Sequence, residues 1–138
     1  MSRRTARKNA FLTLYQGDVT GRPPGEILSR WRSYRGQLDP YAEELLRGVE
    51  REKESLDERI GEVASGWPIH RMSVVDRTIL RMALYEMLYI EDVPAEVAIG
   101  EAQELAKGFS SDEAPRFVGG VLRGARETVP RGAGRNLE

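Results

Sequence analysis

An all-α fold is predicted by three features of this 138-residue chain. Apolar residues recur at spacings of three and four along most of its length, no run alternates with the period of a strand, and clusters of Gly, Pro, Asp and Ser separate the periodic stretches. A chain of this size buries about two-thirds of its unfolded surface without disulfides or metal. The expectation is a compact bundle of six to seven helices around one central buried helix, with residues 1–129 folded and 130–138 a disordered tail.

The central helix is read from WPIHRMSVVDRTILRMALYEMLY, Trp67 to Tyr89. Ser73 followed three residues later by Asp76 is a capping box, which starts the helix at Val74. At 100° per residue, Val75, Ile79, Leu80, Met82, Ala83, Leu84 and Met87 cover more than half the circumference, and Val74, Tyr85 and Tyr89 most of the rest. Arg77 and Arg81 form a narrow polar strip. Such a helix belongs in the middle of a domain. Glu86 falls inside the apolar arc, where a carboxylate needs donors. The free backbone amides around Ala95 to Val97 are the nearest in sequence, which would make Glu86 a latch between two helices.

The other helices follow in order. RRTARKNAFLTLY, from Arg3 to Tyr15, places Ala10, Phe11, Leu14 and Tyr15 on one flank, with Arg3, Arg4, Arg7 and Lys8 running off the core as a basic prow. A loop is expected over Gly17–Gly25, then a short helix from Glu26 to Tyr34 anchored by Trp31. Asp39 and Pro40 supply an N-cap and a first-turn proline for a third helix. Its stripe of Tyr41, Leu45, Val49, Leu56, Ile60 and Val63 runs about six turns, interrupted at Glu52 and Lys53. After the central helix, Pro94 opens a helix to about Lys107 with a seam of small residues, and Gly108 is expected to cap it. A last helix begins at Ser110 to Glu113 and buries Phe117, Val118, Val121, Leu122 and Ala125. Gly119, Gly120 and Gly124 each lower its helicity by about 1 kcal/mol relative to alanine, which points to close packing or a functional surface.

Composition narrows the function. The absence of cysteine excludes disulfides and thiolate metal sites, and no segment reads as a signal or a membrane span, so a cytoplasmic protein without membrane association is expected. A net charge of −1 gives no global reason to expect nucleic acid, but the first eight residues hold four cations and no acid. Phosphate cradles and nucleophile elbows have no matching motif. His70 stands alone and is read as non-catalytic, and neither an enzyme nor a cofactor is expected.

Four blocks in succession carry a resemblance: RRTARKNAFLTLYQGD, WPIHRMSVVDRTILRMALYEML, DVPAEVAIGEAQELAKGF and RFVGGVL. Together they resemble the bacterial transcription antitermination factor NusB family over about Arg3 to Gly124. The resemblance implies two helical subdomains, binding of the boxA element of ribosomal RNA leader transcripts, partnership with the ribosomal protein NusE, and a place in the RNA polymerase antitermination complex. It maps RNA binding onto Arg3, Arg4, Arg7, Lys8, Lys107, Arg116 and Phe117, and the protein partner onto Tyr15 and Asp76. Cations that neutralise phosphates and an aromatic that stacks an unpaired base suit that chemistry. Each residue also has a plainer reading: a solvated terminus for the first cluster, a core side chain for Phe117, a half-buried tyrosine for Tyr15 and a helix cap for Asp76.

The sequence departs from the family pattern at Gly100 and Gly119, where asparagine is usual, and at Gln103, where an apolar residue is commoner. Both departures remove a side-chain amide: if those amides cap or bridge helices, a looser carboxy-terminal subdomain is expected here, and if either touches RNA, an altered affinity or sequence preference. Two other functions compete: the regulatory domain that the same fold provides to RNA cytosine methyltransferases, and a dimerisation module without RNA binding. Monomer and homodimer both remain open.

Overall fold

A computed structural model describes residues 2–128, so the expected tail at 130–138 lies outside the described residues. Seven α-helices and one 3-10 turn appear among them: α1 Arg3–Thr20, α2 Pro24–Arg35, α3 Pro40–Arg51, α4 Lys53–Val63, the turn Ile69–Arg71, α5 Val74–Tyr89, α6 Ala95–Phe109 and α7 Ala114–Thr128. The chain divides into two compact units, Met1–Arg51 and Glu52–Glu138. The all-α class and the two subdomains agree with the sequence.

In the first unit α1 packs on α2 and α3. Ser2 caps α1, its Oγ accepting from the Thr5 amide at 3.1 Å. The helix runs straight through Gly17, where the sequence places a loop, and stops at Gly21, whose φ of 74° lets its amide reach the Gly17 carbonyl at 2.8 Å. A Cβ at Gly17 would make only ordinary contacts, 3.4 Å from the Arg22 carbonyl oxygen and 3.8 Å from Ile27. Ala10, Phe11, Leu14, Ile27, Leu28, Trp31, Ala42, Leu45, Leu46 and Val49 are buried. Asp39 Oδ1 accepts from the Tyr41 amide at 2.8 Å, the expected N-cap.

The six-turn third helix is two helices. Glu52 leaves helical geometry, with φ −101° and ψ 15°, and α4 starts behind it. Here two charged residues interrupt the apolar stripe, and Ser55 Oγ donates to the Glu52 carbonyl at 3.1 Å.

In the second unit α5 contacts α4, α6 and α7. Ten of its sixteen residues are buried, which fits the nearly all-round apolar pattern. Arg81 is among them, so it does not belong to a polar strip: its guanidinium forms a two-pronged bond to Asp57 of α4, Nε to Oδ1 at 2.6 Å and Nη2 to Oδ2 at 2.9 Å. The sequence offers no sign of this partner, 24 residues away. Glu86 is 1% exposed, and its carboxylate is partnered rather than reaching solvent. Near the end of the helix Tyr85 and Tyr89 stack at 4.9 Å. Burial, together with the Glu52 carboxylate, raises the Tyr89 phenol above its usual 10.0.

The last two helices also shift relative to expectation. Gly108 remains helical and α6 ends at the extended Ser110, while α7 starts at Ala114 rather than Ser110. Gly124 allows the close approach that its low helicity implies, since a Cβ there would lie 2.5 Å from Val63 Cγ1 of α4. Valine is stiff at χ1 and cannot swing aside. Gly124→Ala should therefore lower stability by about 1 to 3 kcal/mol despite its better helix propensity. A urea melt should show the loss, and Val63→Ala in the same chain should recover part of the midpoint.

Candidate nucleic-acid interface

The basic end of α1 is not a free prow. Arg3, Arg4 and Lys8 are exposed, but Ala6 and Arg7 are buried, Arg7 to 5% exposure. Position 7 shares the helix face of Ala10, Phe11 and Leu14, so the packed stripe extends to the first turns. Arg7 is thus corrected from an exposed cation to a buried, partnered one. The Arg3 guanidinium lies over the Tyr41 ring at 4.2 Å, which orients it while leaving it accessible. Tyr15, farther along the helix, is 36% exposed with its ring 6.1 Å from Phe11.

The second unit assembles the remaining candidates. Asp76 is fixed twice: its amide donates to Ser73 Oγ at 3.0 Å, and its Oδ1 accepts from Ser110 Oγ at 2.7 Å. The carboxylate is thereby turned toward the α6–α7 connection. Lys107 and Arg116 are exposed on either side of that connection in sequence, and Phe117 is half-buried. Phe117 therefore matches neither of its two readings fully, since it is neither sealed in the core nor freely projecting.

Trp67 is a surface aromatic that the sequence does not single out. Gly66, at φ 83°, turns the chain after α4, and Trp67 emerges 53% exposed with its ring edge-on to Phe117 at 6.4 Å. The two aromatics, with Asp76, Ser111, Glu113 and Ala114, line a cleft of about 260 Å³. The available signal is a tryptophan set between glycine and proline, where no helix can bury it.

Gly100 and Gly119 differ in consequence. Nothing lies within 4 Å of a Cβ at Gly100. At Gly119 the space is filled by the Gln103 amide, which donates to the Pro115 carbonyl at 3.0 Å. There an amide from α6 ties down the first turn of α7, the turn that carries Arg116 and Phe117.

Comparison with known proteins follows the same lines. A model of the NusB family matches residues 4–127. The chain belongs to the NusB family. It is 65% identical to the transcription antitermination protein NusB of Rubrobacter xylanophilus over 94% of this chain and 93% of that protein. The Bacillus pumilus protein of the same name is 46% identical over 88% and 92%. Among solved structures, T. maritima NusB superposes with a TM-score of 0.81 at 34% identity, covering 94% of both chains. A structure of antitermination factors NusB and NusE in complex with dsRNA matches with a TM-score of 0.81 at 27% identity, over 92% of this chain and 97% of that one.

The Gln103 tie makes a specific prediction within this family fold. Gln103→Ala should cost about 0.5 to 1.5 kcal/mol by removing the donor to Pro115. In a Gly119→Ala background, whose Cβ already displaces the amide, the same change should cost almost nothing. Urea midpoints of the two single variants and the double variant measure that non-additivity.

Proposed function

We propose that this chain is a transcription antitermination factor that binds boxA RNA of ribosomal RNA leader transcripts together with the ribosomal protein NusE, as a non-enzymatic component of the RNA polymerase antitermination complex in the cytoplasm. The observation that carries the proposal is the match, over nine-tenths of both chains, to a NusB in a structure that holds NusE and dsRNA. The match to two antitermination proteins at 65% and 46% identity, over about nine-tenths of each, supports the same reading.

Within that function the side chains divide the work by exposure. Arg3, Arg4 and Lys8 contact phosphates, and their charge supplies affinity that salt weakens. Arg7 holds the first turns of α1 in place and acts on RNA only indirectly. Lys107 and Arg116 supply a second cationic contact. Half-exposed Phe117, assisted by Trp67 beside it, offers a ring to an unpaired base. Tyr15 and Asp76 serve the protein partner, Asp76 with the carboxylate orientation that Ser110 sets. Glu86 remains buried in α5 as a latch toward the start of α6.

Two measurements test the assignment. Replacing Arg3, Arg4 and Lys8 by alanine should reduce the slope of log affinity against log salt by about 0.7 for every phosphate no longer neutralised on single-stranded boxA RNA. Arg7→Ala should instead lower the urea midpoint. A salt slope unchanged in the triple variant would refute the phosphate role. For the protein partner, Asp76→Asn keeps an acceptor for Ser110 and a cap of similar quality, so stability should fall by about 1 kcal/mol or less. Calorimetric affinity for NusE should nevertheless drop, and equal affinity would leave Asp76 a cap alone.

A further inference from the structure

Charge is distributed far more unevenly than the net value suggests. Residues 1–35 hold eight Lys or Arg against two acids, a net of +6, while the rest of the chain carries −7. Only half of those eight cations are in the α1 cluster. The others are Arg22, Arg30, Arg32 and Arg35, on α2 or just before it, and Glu26 is the one acid among them. Glu26 pairs with both Arg22 at 2.9 Å and Arg30 at 3.6 Å, so one carboxylate faces two guanidiniums and positive charge is left over.

These side chains border a groove. Leu12, Gln16 and Thr20 of α1 form one wall, and Arg30, Trp31, Tyr34 and Arg35 of α2 form the other, enclosing about 460 Å³. Tyr34 is 87% exposed, which an apolar-bodied ring has no folding reason to be. The Arg35 guanidinium lies over the Trp31 ring, 4.8 Å from its centroid. Leu12, Gln16 and Thr20 are successive members of one i, i+4 ridge, and Lys8 and Arg4 continue that ridge toward the amino terminus. The groove and the exposed cations of α1 are therefore one surface, about 18 Å along the helix axis from Lys8 to Thr20.

We propose that this α1–α2 groove is a second RNA-binding surface, which takes the single-stranded transcript flanking boxA. Arg30 and Arg35 neutralise successive phosphates as the strand leaves Lys8, and Tyr34 stacks one base. Planar guanidiniums interleaved with an exposed aromatic are the chemistry of a single-strand track without sequence preference. The inference rests on the function proposed above and extends it beyond the cation clusters named there.

The test compares a boxA oligonucleotide with the same oligonucleotide carrying a short single-stranded adenylate extension at either end. Wild type should bind one extended form more tightly than the core. Arg30→Gln with Arg35→Gln should leave core binding unchanged, abolish the gain from the extension and lower its salt slope by about 0.7 for each phosphate released. Tyr34→Ala should weaken the extended form about five- to hundredfold. Circular-dichroism melts should show both variants as folded as wild type. The proposal is overturned if neither extension adds affinity or if the gain survives both variants. It is also overturned if the variants lose NusE rather than the extension, because the groove then serves a protein. Failure of the wild type to bind even the boxA core removes the function proposed above, and this inference with it.

Discussion

The second unit depends on how α5 carries charge through a core. Arg81 lies on the buried part of this helix, and its guanidinium reaches Asp57 of α4 through two short parallel bonds. Removing either partner would leave a largely buried charge uncompensated, a loss of several kcal/mol in fully buried pairs. The pair also fixes the register of α4 on α5, because a guanidinium fork meets a carboxylate edge in one geometry. Gly124 then lets α7 close onto Val63 of the same α4. The positions of Phe117 and Trp67 follow from this packing, since one is carried by α7 and the other by the chain leaving α4.

Local signals in the sequence are legible where they are chemical and obscure where the answer depends on a distant neighbour. The caps at Ser73 and Asp39 and the all-round apolar pattern of α5 appear in the structure as expected. Gly17 and Gly108 look like punctuation, yet both remain helical, because one glycine costs a helix only about 1 kcal/mol relative to alanine and does not by itself end it. The break at Glu52 shows in the sequence only as a gap in a stripe. Arg81 looks like a surface residue because a sequence displays a charge without its partner.

The candidate interface shows the same division. Charge clustering at the amino terminus and the family blocks pick out the candidate segments, but accessibility within a cluster is a matter of helix phase. Arg3, Arg4 and Lys8 face outward and Arg7 does not, since position 7 falls on the face that Ala10 and Leu14 bury. Periodicity says nothing of Trp67 because it sits at a chain turn, where neither a helical nor a strand pattern assigns it a side; only its place between glycine and proline signals exposure.

The arrangement around Gly119 bears on how chains of this kind are compared. Scored column by column, Gly119 counts as a missing polar group and Gln103 as an anomaly in an apolar column. In space they are complementary: the absence of a side chain at one position makes room for the amide from the other, and the Pro115 carbonyl receives its donor. The unit that the two positions encode is a hydrogen bond between two helices, not a residue. Positions 103 and 119 therefore act as a pair, and changing either alone removes half of an interaction.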